Sequence, residues 1–498
     1  MATQPLPRRL ALALAILVGL LALAVPLRAA ERIALVIGMG AYAHVAPLSN
    51  TINDAKGIAG TLDGIGFDVT LRLDAPGDEL RRTLADFAFR AETADLALIY
   101  YAGHGVEVQG ENFLIPVDSD ARTNLEVQGQ AVSLRELLSA VDHARRMRVI
   151  ILDSCRDNPL GDGIDLTRID PATPPEAKGG LAPPSPDRGT LVAFAARDGQ
   201  VALDGVGAHS PYAQALMDKL PVPGLEIALM FRQVRDEVLA LTGNLQEPNT
   251  YGSLSGEPFY IAPPDGSVLP VDPTLAWARI APEQEPQFRA LAEAGDTRSM
   301  LGLAYIRLNP DDARYDPAAA AAYLERAAAA GAPDAQWELA RLYEKGIVGT
   351  APDPARALAL FEASAAQDYA KALNDMGFFY YQGDMGLTRD VPRALDFFRR
   401  AADQRHPEAQ FNYAALIDDG LVPGSGPPEA ARYLYEALRS GNADVLGLLS
   451  ERPGMFTLET RREVQKLLSR FGFYGGGIDG EFGPGTQRSI RAAFGIEG

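Results

Sequence analysis

Polar and apolar positions divide the chain into stretches of different periodicity. Up to about residue 262, short continuous apolar runs alternate with segments of helical spacing. The runs at 32–38, 67–71, 95–101, 147–153 and 190–195 predict buried strands. Helices are predicted at 50–66, 78–92, 133–144, 211–220 and 226–241, the first opened by an Asn or Asp cap at residues 50–54. A short extended piece lies at 112–116, and 259–261 closes the domain. Strands alternating with helices imply a mostly parallel α/β sheet flanked by helices, occupying 31–262. Between 156 and 189 the pattern breaks into a Pro-, Gly- and Asp-rich stretch, long enough to suggest a functional loop. A Pro/Gly-containing linker follows at 263–284.

Beyond the linker the period changes. Segments starting at 297, 335, 372 and 409 repeat one pattern, separated by 38, 37 and 37 residues, and second helices recur at 355–365 and 392–402. Small residues at Gly302, Ala340, Gly377 and Ala414 permit close helix approach. Two helices per unit at this period mean an α-solenoid over 285–445. Its pattern resembles Sel-type repeats of the tetratricopeptide class, which implies binding of protein partners. Residues 456–498 form a last compact all-α segment: a helix at 459–471, a Gly-rich turn, then Ile478-Asp479-Gly480-Glu481-Phe482-Gly483-Pro484-Gly485-Thr486, with Thr486 read as opening a second helix to Phe494. This closely resembles the small peptidoglycan-binding module. Phe494-Gly495 replaces that module's usual Phe-Gln ending, which puts ligand binding, not the fold, in question.

Charge and composition narrow the setting. A net charge of -19 argues against nucleic-acid binding and allows steering of basic peptides. Arg8 and Arg9 precede an apolar core at 10–25 and small residues ending in Ala29-Ala30, the pattern of a secretory signal over 1–29. Removing it takes away Arg8, Arg9 and Arg28, so the charge becomes -19 - 3 = -22. The expected location is the periplasm or cell envelope, with membrane anchoring as the alternative if the signal stays attached.

Two stretches carry chemistry: Tyr100-Tyr101-Ala102-Gly103-His104-Gly105, and an apolar run ending in Asp153-Ser154-Cys155-Arg156. Each places a reactive side chain just past a strand's carboxyl end, where open α/β sheets build sites. Cys155 is the only cysteine, so an internal disulfide is excluded; it pairs between chains or is a reactive thiol, with a structural buried cysteine as the alternative. His104 lies 155 - 104 = 51 residues upstream, close to the caspase spacing of about 50. Residues 31–262 resemble caspase-fold cysteine peptidases, most closely the bacterial members of the metacaspase and paracaspase branch. The resemblance implies a Cys155–His104 dyad. A thiol of ordinary pKa needs an imidazole to take its proton, and the oxyanion needs backbone donors, for which Gly105 and Cys155 N–H are the candidates.

The resemblance also implies specificity. Asp153 occupies the position of a pocket acid in that branch, and Asp204 that of a pocket arginine in animal caspases; Asp198 is a weaker candidate, and Ser210 lines the groove. Paired carboxylates suit a guanidinium or ammonium, hence cleavage after Arg or Lys. Arg168, Lys178 and Arg188 then become candidate self-cleavage sites. No cofactor is expected and no histidine has metal-ligand spacing; calcium activation comes from the resemblance alone. The expected partners are basic protein or peptide substrates, protein partners of the solenoid, and peptidoglycan. The alternatives are a non-catalytic envelope scaffold and a murein-peptide hydrolase.

Overall fold

A computed structural model describes residues 32–155, 189–197, 202–205, 207–252, 254, 258–264, 276–277, 280–347 and 352–496. They divide into two compact units, one drawn from 29–271 and the other chiefly from 282–498.

The first unit is organised by one sheet in the order β2-β1-β3-β6-β7-β8. Strands β1 (Arg32–Gly38), β2 (Asp68–Leu73), β3 (Leu96–Val108), β6 (Met147–Cys155) and β7 (Thr190–Phe194) run parallel, and β8 (Asn249–Gly252) closes one edge antiparallel. Apolar runs such as Leu96–Tyr101 are wholly buried because helices cover both faces. Helices α2 (Gly77–Ala91) and α4 (Leu134–Val141) share a core with Ile33, Leu35, Ile99, Tyr101, Ile150 and Leu152. Helices α1 (Thr51–Gly64) and α5 (Pro211–Lys219) cover the face that carries Tyr100 and Asp153, with α6 (Ile227–Leu241) packed on α5. The mostly parallel α/β sheet expected from the sequence is what forms.

Several details differ from expectation. Strand β3 continues seven residues past Tyr101, so His104 sits inside a strand and not in a loop. The cause is a hairpin with β4 (Glu111–Leu114): Val108 pairs with Glu111 across Gln109 and Gly110, both at positive φ (54° and 80°). Two such residues make the turn whose twist matches antiparallel strands. Likewise Cys155 is the last residue of β6. A short helix α3 (Asn124–Gln130), the two-residue β5 (Val132–Ser133) and β8 had too little hydrophobic patterning to be foreseen. Asn50 does not cap α1 with its side chain; its amide instead donates to Asp204 O at 2.6 Å and to Gly207 O at 3.3 Å.

The second unit stacks helix pairs: α7 (Glu285–Glu293), α8 (Thr297–Leu308), α9 (Pro317–Ala329), α10 (Pro333–Lys345), α11 (Pro354–Ala365), α12 (Ala370–Gln382), α13 (Val391–Asp403), α14 (Pro407–Asp418), α15 (Pro427–Arg439) and α16 (Ala443–Glu451). A Cβ at Gly377 would lie 2.8 Å from the Phe398 ring on α13, so that glycine does permit close helix approach. At Gly302 the neighbour is instead the buried Trp277, 2.4 Å from a Cβ.

The C-terminal helices α17 (Leu458–Arg470) and α18 (Pro484–Phe494) share a continuous hydrophobic cluster with the last repeats. Arg439 of α15 is buried and donates to Ala493 O at 2.7 Å, while Tyr435 stacks on Phe471 at 5.0 Å. Asp418 at the end of α14 accepts from the Thr457 N–H at 3.0 Å and from the Thr460 hydroxyl at 2.6 Å. Thr486 does not open α18: Pro484 starts it after Gly483, and Thr486 is buried against Gln465 and Glu481 O.

Candidate active site

The parallel ladder between β3 and β6 places Ala102 opposite Asp153, Gly103 opposite Ser154 and His104 opposite Cys155. The residues predicted to form the dyad are therefore register partners at the end of one ladder. Ala102 O accepts from Met39 N–H and His104 O from Ile115 N–H, so these peptide groups of β3 face β1 and β4. Alternation along a strand turns the Gly105 N–H toward β6. In β6, Leu152 O accepts from Ala195 N–H on the β7 side, so the Cys155 N–H turns toward β3. Both proposed oxyanion donors face the same seam, in its last rung.

His104 is fixed by its surroundings. Its N–H donates to Tyr42 Oη at 2.8 Å, and its carbonyl accepts from Tyr101 Oη at 2.8 Å. The Tyr42 ring lies against the imidazole with centroids 4.6 Å apart. His104 Nε2 is 2.9 Å from Ala46 O. A carbonyl only accepts, so Nε2 carries the proton and Nδ1 of the neutral ring keeps its lone pair. Nδ1 is buried and has no partner among the described residues. Burial pushes the His104 pKa below its ordinary value, against a smaller opposing effect of the Ala46 hydrogen bond. Gly103 makes this possible: a Cβ there would fall 2.6 Å from Tyr101 Oη and 2.7 Å from Tyr42 Oη.

The predicted acids gather beside this seam, with one more that the sequence reading missed. Asp153 is buried; its carboxylate accepts from Tyr100 Oη at 3.0 Å and Ser210 Oγ at 2.7 Å. Asp54 of α1, 1% exposed, accepts from the Ser210 N–H at 3.2 Å and pairs with His209 Nδ1 at 2.9 Å. Asp204 is half-buried and accepts from Ser49 Oγ at 2.8 Å. Burial raises the Asp153 pKa to about 7, helped by the negative charges of Asp54 and Asp204 and resisted by the bonds from Ser210 and Tyr100. Burial likewise raises Asp54, against its bonds from His209 and Ser210. Three carboxylates thus feel one another, and among the described residues His209 is the basic side chain paired with them.

Ser210 thus links two acids and also caps α5 by accepting from Ala213 N–H. Asp54 had looked like a helix-cap residue; its position three residues into α1 was the only sequence signal, and nothing local tied it to residue 210. The calls on Asp198, Arg168, Lys178, Arg188 and the signal segment lie outside the described residues.

Three family models match successive parts of the chain. Residues 31–260 match the caspase domain, residues 297–331, 333–369, 370–406 and 407–442 match the Sel1 repeat, and residues 457–493 match the putative peptidoglycan binding domain. The human mucosa-associated lymphoid tissue lymphoma translocation protein 1 is 28% identical over 140 residues, which is 28% of this chain and 17% of that protein. Its Mus musculus homolog is 27% identical over 140 residues, 28% of this chain and 16% of that one. The chain therefore spans under a fifth of these relatives. Caspase-1 from Spodoptera frugiperda overlies 48% of this chain and 94% of its own at TM-score 0.35 and 17% identity. A Sel1 repeat protein from Oxalobacter formigenes overlies 24% of this chain and 89% of its own at TM-score 0.23 and 28% identity. The chain joins a caspase-like cysteine peptidase domain to Sel1 repeats and a peptidoglycan-binding domain.

Proposed function

We propose that the protein is an exported cysteine endopeptidase of the cell envelope that cleaves after Arg or Lys through Cys155 and His104. The observation that carries this reading is the grouping of Asp54, Asp153 and Asp204 beside the seam where His104 and Cys155 are register partners. A guanidinium or ammonium entering that site neutralises carboxylates that otherwise repel one another.

In the proposed mechanism the Cys155 thiol gives its proton to Nδ1 of neutral His104, and the sulfur attacks the scissile carbonyl. The oxyanion is received by the Gly105 and Cys155 N–H groups, which requires the last rung of the ladder to part. His104 then protonates the leaving amine. A water molecule, deprotonated by His104, hydrolyses the thioester and restores the thiol. The Ala46 carbonyl holds the ring in the tautomer this sequence needs. Self-cleavage at Arg168, Lys178 or Arg188 belongs to the same reading, with the peptidoglycan-binding domain tethering the enzyme to the wall.

The test is hydrolysis of matched arginine, lysine and aspartate fluorogenic peptides by wild type and Cys155→Ala. Turnover of the basic peptides only, lost in the variant, is expected. Cysteine-independent turnover, or preference for aspartate, overturns the reading. Mass spectrometry of both proteins after incubation locates self-cleavage; equal cutting in both removes that part.

A further inference from the structure

The three helices that open successive repeats, α12, α14 and α16, enclose a groove of about 320 Å³ whose lining includes none of the candidate active-site residues. Its floor is apolar: Phe379, Phe411, Val445 and Leu448 are all 8% exposed or less. On the same surface Asn412 donates to the Asn374 carbonyl oxygen at 3.2 Å. No other side-chain hydrogen bond involves these two amides among the described residues, so the Asn374 amino group and the Asn412 carbonyl are available to a ligand. An amide that donates and accepts at once matches a peptide group.

The rim is acidic. Asp384, Glu408 and Asp444 are exposed, and none of the lining residues is Lys or Arg. Two cations are engaged by a neighbouring ring: Arg341 and Lys371 lie over Trp337 at 4.8 and 5.1 Å, and Trp337 Nε1 donates to Asp375 of the groove lining at 2.7 Å. His406, 3.3 Å from Glu408, offers no lasting counter-charge, because its Nδ1 accepts from the Ala409 N–H as a helix cap. Apolar floor, amide pair and acidic rim together describe one ligand chemistry.

We propose that this groove docks an extended segment of a partner protein, seating one apolar side chain on the floor and a neighbouring Lys or Arg against the Asp384, Glu408 and Asp444 rim. The amides take the segment's backbone, and the rim sets its charge. This stands apart from the peptidase reading and holds if the dyad is inert.

The test uses the full-length chain carrying Cys155→Ala, so that the probe is not cut. Two fluorescein-labelled hexapeptides, Gly-Lys-Ala-Leu-Lys-Gly and Gly-Glu-Ala-Leu-Glu-Gly, are compared by anisotropy, and photo-leucine replaces leucine for cross-linking. Saturable binding of the basic peptide is expected, with cross-links on α12, α14 or α16. Affinity should fall about tenfold in the Asp384→Lys/Asp444→Lys variant, and also between about 50 and about 500 mM salt. The same double substitution in the Cys155 protein should leave hydrolysis of a small arginine substrate unchanged. The proposal is overturned by equal affinity for the acidic peptide, by cross-links confined to residues 32–262, by unchanged affinity in the double variant, or by no saturable binding of the basic peptide.

Discussion

His104 Nε2 donates to the Ala46 carbonyl at 2.9 Å, and this single contact decides which nitrogen of the ring is free to act as a base. The orienting group is a backbone oxygen from the loop after β1, so no side chain is needed to fix the tautomer. Its identity as alanine is incidental; what matters is where the loop runs.

A buried imidazole resists protonation, since burial lowers the His104 pKa from its ordinary 6.5. The neutral base therefore persists below pH 6.5, and charging it on acidification costs the folded state stability. The acid limb of kcat/KM for an uncharged-leaving-group arginine substrate is expected below pH 6.5, after correction with Asp153→Asn. A limb at or above 6.5 assignable to His104 by NMR titration contradicts this.

The hydroxyls around His104 leave no room at position 103. Gly103→Ala should cost about 1–3 kcal/mol by urea unfolding of the first unit, because two tyrosine hydroxyls must move. Tyr42→Phe removes the acceptor for the His104 N–H and should cost about 1–3 kcal/mol. In both variants kcat is expected to fall further than KM rises. Unchanged kcat in Tyr42→Phe would show that the hydroxyl does not position the ring.

The acids make a pH prediction of opposite sense. With Asp153 raised from 3.8 to about 7, the folded state favours its protonated form. Ionisation therefore erodes stability as pH climbs from the unfolded value near 3.8 through about 7, whereas a cationic substrate needs the ionised form. Wild-type kcat/KM on arginine peptides should rise with pH through about 7, while Tm declines over the interval. Asp153→Asn should flatten both profiles. Asp54→Asn should weaken arginine substrates by about 2 kcal/mol, roughly thirtyfold, with less effect on a neutral one.

The C-terminal domain should behave as the last layer of the solenoid. Removing residues 457–498 strips Ala493 O from the buried Arg439 and Phe471 from Tyr435. Calorimetry should show the second unit's transition falling by roughly 2–4 °C for each kcal/mol of lost packing. Peptidase turnover of small peptides should stay unchanged. An unaltered transition would mean that the shared core adds nothing.

The apolar runs determined the sheet, and the 37- and 38-residue spacings determined the solenoid, because both are written in local periodicity. His104 and Cys155 were legible as candidates, since each follows an apolar run, but that the two runs are adjacent parallel strands in register came from the structure. Only the tertiary structure decided the rest. Asp54 joins Asp153 because Ser210, 156 residues away from Asp54, reaches both, and Ala46 orients His104 through an atom every residue possesses. Asn50 gave up its cap for Asp204 O and Gly207 O, and the Gln109-Gly110 turn carried His104 into a strand. Local sequence specifies which elements form, but it is silent about contacts between distant segments, and those contacts set the tautomer, the protonation state and the charge of the site.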